Sequence, residues 1–269
     1  MKSITFFLLL FALVGCNNRQ KQVELTYIAN AGFLLTSNST SILIDALHKH
    51  GPNVYLKPSS GLLDSMIQGN SMFRKIDFLF ITHRHPDHFN DSLTFEFLSK
   101  HRETQLICPV QVTEILKKNG EIYQKFSDRI STIALDTGRT ERFEVAGLKF
   151  SASHSRHADD YEVENLIYII ELNGTKIMHS GDSYDVHAME LNDINFKAEQ
   201  IDLAILTAGY GRNKFSIAKE QIRPKEIVFC HFYQNLSERL ATAMEKDTAT
   251  FENITVFFNR LESRKYQFK

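Results

Sequence analysis

The stretch Thr82-His83-Arg84-His85-Pro86-Asp87-His88 follows directly on the apolar run Ile76-Asp77-Phe78-Leu79-Phe80-Ile81. A mostly apolar run of that length, rich in Ile and Phe, reads as a strand buried on both faces, so the polar residues after it occupy the loop at its carboxyl end. Open α/β sheets place their chemistry at such ends. His83, His85, Asp87 and His88 bring four metal-binding side chains together within six residues, in a chain that has 11 histidines in all. Composition does not account for that density, and it points to a metal-dependent protein.

The spacing has a physical logic. Residues two apart in extended backbone project to the same side, so His83 and His85 can grip one ion together while His88 points elsewhere. Pro86 pushes His85 out of the helical region and keeps the loop open. Asp91 reads as the N-cap of a helix from about Ser92 to Lys100, with its positive dipole end toward the site.

His-x-His-x-Asp-His after a buried strand resembles the metallo-β-lactamase superfamily, and other segments are similar to that family's remaining motifs. Ser41-Ile42-Leu43-Ile44-Asp45 looks like the strand whose closing aspartate steadies the ligand loop by hydrogen bonds, so Asp45 is expected behind the ligands. Gly147 to His157 offers two histidines, His154 and His157. The distance from the opening glycine, and the following Glu164 to Ile170 segment, favour His157 by resemblance. Gly181-Asp182 follows a hairpin with an Asn173-Gly174 turn and a strand Lys176 to His179. His231 closes Pro224 to Phe232 as the last motif.

The resemblance implies that His83, His85 and His157 hold a first ion, that Asp87, His88 and His231 hold a second, and that Asp182 bridges them through its two oxygens. It spans roughly Val23 to Phe268, including Leu25 to Leu35, which is similar to the family's opening hairpin. The implied fold is α/β, an αββα sandwich of two mixed sheets with helices outside and the site along one sheet edge. No repeat is visible in the sequence, although the family's fold is pseudo-twofold. Strand-like Ile201 to Leu206 and Ile254 to Phe258, alternating with a helical stretch from Leu236 to Lys246, agree with an α/β chain.

At 269 residues, with no long linker, the chain is sized for one large core. Residues 1–16 read as a leader: Lys2 precedes the largely apolar Ile4 to Val14, and Leu13-Val14-Gly15-Cys16 resembles a bacterial lipobox. The apolar run is too short for a mature membrane-spanning helix, and cleavage before Cys16 leaves that cysteine to carry lipid. Residues 17–22 read as a polar tether and 23–269 as the folded domain. The expected location is extracytoplasmic, with the domain anchored by lipid to a bacterial membrane on its periplasmic or cell-surface face. Cys108 and Cys230 lie in apolar runs and read as buried thiols.

A formal net charge of −1 gives no basic footprint, so nucleic acid is not an expected partner. His48, His50, His101, His179 and His187 are expected mostly at the surface or in loops, with His179 set apart as a partner standing behind the ligands. Tyr210, Arg212, Asn213 and Lys214 form the one group read as able to recognise an anion.

Two divalent ions, Zn2+ first with Fe or Mn as alternatives, leave such a site positive before substrate arrives. A small molecule presenting an anionic or polarised oxygen is therefore expected. Such ions would supply a hydroxide for attack on an ester, lactone or phosphodiester, with Asp87 and Asp182 as the carboxylates expected to manage the proton. The branch resembled includes lactonases and phospholipases. The substrate-binding signatures of class B β-lactamases are absent from the sequence. Two other readings use the same ligands: an iron-dependent oxidoreductase on this fold, and a lipid-anchored metal-binding protein without catalysis.

Overall fold

The computed structural model describes residues 21–38, 40–184, 187, 190, 191 and 193–268. The expected leader, Cys16 and most of the tether lie outside the described residues. Lys21 and Gln22, expected in the tether, instead open the first strand, β1 (Lys21–Ala29). Backbone pairing captures them, because they face Phe268 and Gln267 in an antiparallel register.

The chain then forms β2 (Gly32–Ser37), β3 (Thr40–Ile44), α1 (Ser60–Gln68), β4 (Phe78–Phe80), α2 (Asp91–Lys100), β5 (Gln105–Pro109), α3 (Val110–Lys117) and β6 (Ile130–Ile133). A second set follows: β7 (Thr140–Val145), β8 (Leu148–Arg156), β9 (Glu164–Leu172), β10 (Thr175–His179), β11 (Leu203–Leu206), β12 (Glu226–Phe229), β13 (Ile254–Val256) and β14 (Ser263–Phe268). They build two 7-stranded sheets, ordered β14-β1-β2-β3-β4-β5-β6 and β13-β12-β11-β10-β9-β8-β7. In the first sheet, pairing is antiparallel as far as β3 and parallel from β3 to β6. The second sheet repeats that scheme, antiparallel from β7 to β10 and parallel from β10 to β13. The twofold relation that no sequence repeat reveals is thus present in the topology.

Strand periodicity sorts the side chains into layers. Ile42, Ile44, Phe78 and Phe80 point between the sheets, where they meet Phe150, Tyr168, Ile205 and Val228. Leu43, Leu79 and Leu106 point the other way, onto Leu63 and Met66 of α1, Phe97 and Leu98 of α2, and Val112 of α3. The outer face of the second sheet is covered by Phe196, Phe215, Ala218 and Ile222, with Leu240 and Met244 of the helix Ser237–Lys246 packed at its edge. The result is the expected αββα sandwich of two mixed sheets with helices outside.

Several local readings need correction. The N-cap of α2 is Asn90, whose side-chain oxygen accepts from Leu93 N at 3.0 Å, and Asp91 is the first helical residue. Adjacent Asn and Asp are equivalent caps in sequence, and the backbone geometry selects between them. β4 is shorter than the apolar run, yet Ile81 N still donates to Ile107 O at 3.0 Å, so sheet-like pairing carries on to the edge of the ligand loop. Three of the histidines expected mostly at the surface or in loops, His48, His101 and His187, are buried and His50 is exposed, while His179, set apart as a partner behind the ligands, is buried. Cys108 and Cys230 are buried free thiols, and burial pushes that of Cys108 up to about 12. No helix of the described residues is long and apolar enough to cross a membrane.

Two contacts tie the sheets together beside the ligand loop. Tyr168 Oη donates to Ile81 O at 3.0 Å, and Leu166 N donates to Thr82 O at 3.0 Å. Tyr168 is fully buried, so removing its hydroxyl strands a carbonyl away from water. Tyr168→Phe is expected to lower unfolding free energy by about 1–3 kcal/mol, with the midpoint of urea denaturation falling and the slope unchanged. An unchanged midpoint would mean that this bond does not hold the sheets together.

Candidate metal centre

Every expected site residue lies just beyond the carboxyl end of a strand on one rim of the sandwich. Asp45 follows β3, His83 to His88 follow β4, His157 follows β8, Asp182 follows β10 and His231 follows β12. The ligand atoms fall into three overlapping groups: His83, His85 and His157; His83, His88 and Asp182; and Asp87, His88 and His231. Within each group the atoms lie within 4.8 Å of one another. His154 is elsewhere, with its Nδ1 2.7 Å from Leu135 O.

Asp182 stands at the centre. Its Oδ2 lies 3.1 Å from His231 Nε2, 3.6 Å from His157 Nε2 and 3.9 Å from His83 Nε2, while its Oδ1 lies 3.3 Å from His88 Nε2. His231 Nε2 is also 3.4 Å from Asp87 Oδ2. A tetrahedral cation about 2.1 Å from each ligand sets those ligands about 3.4 Å apart, which is the spacing seen here. The Nε2 atoms of His83, His88, His157 and His231, with Asp182 Oδ1, are buried yet make no hydrogen bond of acceptable geometry. Buried polar atoms are ordinarily satisfied, so five such atoms gathered in these adjoining groups fit the coordination of cations.

The residues behind the ligands set which ring nitrogen faces inward. Asp45 Oδ1 accepts from Thr82 N at 2.8 Å, and Asp45 Oδ2 accepts from Thr82 Oγ1 at 2.6 Å. Thr82 Oγ1 has then spent its proton and accepts from His83 Nδ1 at 3.0 Å. His88 Nδ1 lies 2.8 Å from the same Asp45 Oδ2 and donates to it. One carboxylate therefore places the Nδ1 protons of His83 and His88, leaving each Nε2 aimed at the cluster. His157 differs, because the N–H groups of Asp159 and Asp160 both point at its Nδ1 at 3.2 Å. That arrangement favours a proton on Nε2, which a cation must displace.

Of the other supports, His179 is expected from the sequence, and Asn30, Asn165 and Tyr55 are not. Asn30 Nδ2 donates to Asp87 Oδ2 at 3.1 Å, and His231 N donates to Asn30 O at 3.3 Å. Asn165 Oδ1 accepts from Asp182 N at 2.8 Å. Gly181 has φ 52°, and a Cβ there would lie 2.2 Å from Asn165 Oδ1, so only glycine fits the turn before Asp182. His179 fixes the same turn: its Nδ1 accepts from Gly181 N at 3.1 Å and its Nε2 donates to Ala31 O at 2.9 Å. Asp45 and His231 themselves hold φ values of 46° and 55°, left-handed backbone that such residues seldom adopt. The ring of Tyr55 lies against His231, with centroids 4.3 Å apart. Asn30, Asn165 and Tyr55 carry no spacing signal, since each reaches the site through tertiary packing.

Of the group read as able to recognise an anion, only the side chain of Tyr210 is described. Tyr210 is buried in the apolar cluster on the outer face of the second sheet. For Arg212, Asn213 and Lys214 only the backbone is described, within the helical segment Ala208–Phe215.

Charge is finely divided in the metal-free cluster. Burial holds the imidazoles of His83 and His85 below their ordinary range, with His88 next in the case of His83 and His157 next in the case of His85. Burial is the largest influence on His88 and His231 too and opposes their protonation, but the carboxylates around them together outweigh it, Asp182 and Asp45 lifting His88 well above 6.5 and Asp182 and Asp87 lifting His231 to about 9. Burial alone would raise Asp182, yet the charges of His231 and His88 hold it well below the usual carboxylate range.

These shifts generate two expectations. The raised histidines contribute stability to the metal-free chain that is fully present below their unfolded value near 6.5 and is lost as pH rises through about 9. Zinc binding at pH 7 must therefore expel protons, and its calorimetric enthalpy should vary with buffer ionisation enthalpy at a slope of about two protons. A slope near zero would contradict that charge state. Asp45→Asn should fold and yet bind zinc roughly 10- to 100-fold more weakly in a chelator competition, because the carboxylate that accepts the His88 Nδ1 proton and orients the Thr82 hydroxyl behind His83 is lost. Unaltered affinity would mean that Asp45 does not orient the rings.

Comparison with known proteins agrees with this architecture. Residues 40–249 match the model of a family described as the beta-lactamase superfamily domain. A UPF0173 metal-dependent hydrolase of Thermococcus onnurineus is 28% identical over 215 residues, covering 78% of this chain and 84% of that protein. Among solved structures, Igni18, a metallo hydrolase from Ignicoccus hospitalis, superposes with a TM-score of 0.62 at 18% identity, covering 93% of this chain and 100% of that one. CmlA, a diiron beta-hydroxylase from Streptomyces venezuelae, shares the fold with a TM-score of 0.55 at 14% identity, covering 91% of this chain and 54% of that one. The chain belongs to the beta-lactamase superfamily, by the match of a family model to most of its length.

Proposed function

We propose that this protein is a metal-dependent hydrolase that holds two divalent cations, zinc by preference, and cleaves an ester, lactone or phosphodiester bond. The observation that carries the reading is the pair of ligand groups joined through Asp182, with a cleft open beside them. His83, His85 and His157 would hold one cation and Asp87, His88 and His231 the other, with Asp182 between. Three ligands to each ion plus a shared carboxylate make four protein donors, and water and substrate would enter from the open cleft by expansion to a fifth position, as catalytic zinc allows. The curated relative's name, a metal-dependent hydrolase, supports the same class.

When bound, such cations supply a nucleophilic hydroxide near neutral pH and polarise the substrate's electrophilic oxygen. The protein's own part is to orient and to manage protons. Asp45, through Thr82 and His88, keeps the imidazoles turned toward the reaction centre. Asn30 fixes the Asp87 carboxylate. Asp87 and Asp182 are ionised despite burial in the metal-free cluster, and either would be the carboxylate placed to take the proton of the nucleophile and return it to the leaving oxygen. The leader motif supports an extracytoplasmic chain held at a bacterial membrane by lipid on Cys16, acting on a small molecule.

Asp182→Ala and His231→Ala, made in a soluble chain beginning at Asn17, test the reading. The parent should carry about two zinc ions by elemental analysis and both variants fewer. Asp182→Ala should lose at least about a thousandfold in kcat on lactone and phosphodiester substrates while keeping its circular dichroism. Normal turnover in Asp182→Ala would refute the assignment. Iron with oxidative turnover would replace hydrolysis by redox chemistry on the same ligands.

A further inference from the structure

We propose that the substrate carries an uncharged aromatic ring next to its scissile bond, seated in a tyrosine-lined cavity beside Asp182 and His231. The inference rests on the hydrolase reading above and names the substrate class for that site. The cavity holds about 230 Å3 and is walled by Tyr55, Tyr184, Phe232, Tyr233 and Leu236. Drug-sized ligands occupy about 300–1,000 Å3, so this space suits a single ring or a short chain better than a nucleotide.

The aromatic walls are built features. Tyr55 lies 5.3 Å from Tyr233 between ring centroids and 4.3 Å from His231, so one tyrosine joins the ligand cluster to the rim. The loops bearing Tyr55 and Tyr233 are tied by Gln234 N, which donates to Val54 O at 2.8 Å. A Cβ on Gly209 would lie 2.1 Å from Tyr184 Cδ1, so this glycine lets the Tyr184 ring lie flat against the chain. Tyr184 Oη donates to Asp159 Oδ1 at 3.1 Å, which fixes the far end of the ring. Tyr233 and Leu236 are 48% and 36% exposed, a large apolar surface left open at the mouth of a polar centre.

Charge decides against an anionic ring substituent. Among the described lining residues the charged side chains apart from His231 are Asp159 and Asp182, both acids, and there is no Lys or Arg. At the end of the cavity away from the metal ligands, a carboxylate or phosphate would meet Asp159, with no Lys or Arg among the described lining residues to answer it. Aromatic faces instead recruit a planar apolar group, through burial and through offset or edge contacts.

The test uses the zinc-loaded full chain and a pH-indicator assay on ethyl phenylacetate and monoethyl succinate, two esters of the same alcohol. We expect kcat/KM to favour the phenyl ester by about tenfold. That ratio should fall toward one in Tyr233→Ala and in Gly209→Ala, with KM carrying most of the change. Leu236→Lys, which adds a cation at the mouth, should shift the ratio toward the succinate ester. Equal rates on the two esters, a preference for the succinate ester, or a ratio unmoved by all three substitutions would overturn the proposal. If neither ester is cleaved, it is the hydrolase reading that is in question, and binding of phenylacetamide by saturation-transfer NMR decides on the cavity. Transfer to the phenyl protons that is lost in Tyr233→Ala would support the ring site, and no transfer in the parent would overturn it.

Discussion

The three hydrogen bonds converging on the Asp45 carboxylate organise the rest of the centre. The group sits in left-handed backbone at the end of β3, and its own N–H donates to Phe80 O at 3.0 Å on the neighbouring strand. From there it receives the backbone and hydroxyl of Thr82 and the Nδ1 proton of His88. A loop of six residues carrying four candidate ligands has many ways to fold. One buried acceptor at its root removes most of them, because any other loop path leaves a carboxylate unpaired in the interior.

The sandwich exists to bring that root within reach of the other ligands. Parallel β3 and β4 end at the same level, and antiparallel β8 and β9 together with β10 bring His157 and Asp182 to the facing rim of the second sheet. The Tyr168 and Leu166 contacts then lock the two rims together at Ile81 and Thr82. Part of the chain's left-handed backbone lies where it serves this purpose. Asn30, Asp45, Gly181 and His231 all have positive φ, and three of them are not glycine. Left-handed backbone at non-glycine residues costs on the order of 1 kcal/mol each, which the large apolar core offsets.

Much of this was legible in the sequence, and what was not has identifiable causes. The ligand loop was readable because its chemistry is local: strand, then alternating histidines, then a helix cap. The two-layer sheet architecture and the grouping of His157, Asp182 and His231 with that loop came from the order of motifs. Asn90 and Asp91 could not be separated, since both are good caps in adjacent positions. Burial of His48, His101 and His187 was invisible, because nothing in their neighbours' periodicity distinguishes them from loop histidines. Tyr210 was assigned to a polar loop by the company it keeps in sequence, but the packing of the second sheet takes it inside. The aromatic cleft was wholly hidden, because Tyr55, Tyr184 and Tyr233 come from three loops far apart in the chain. Their meeting is a property of the fold rather than of any segment.

The central claim is that this rim binds two cations in two adjoining ligand sets that share Asp182. Anomalous diffraction from crystals of the zinc-soaked protein, collected on both sides of the zinc absorption edge, tests it most directly. Two zinc peaks about 3.5–4 Å apart are expected, one among His83, His85 and His157 and the other among Asp87, His88 and His231. A single peak, or peaks that leave Asp182 outside the coordination shell, would contradict the account.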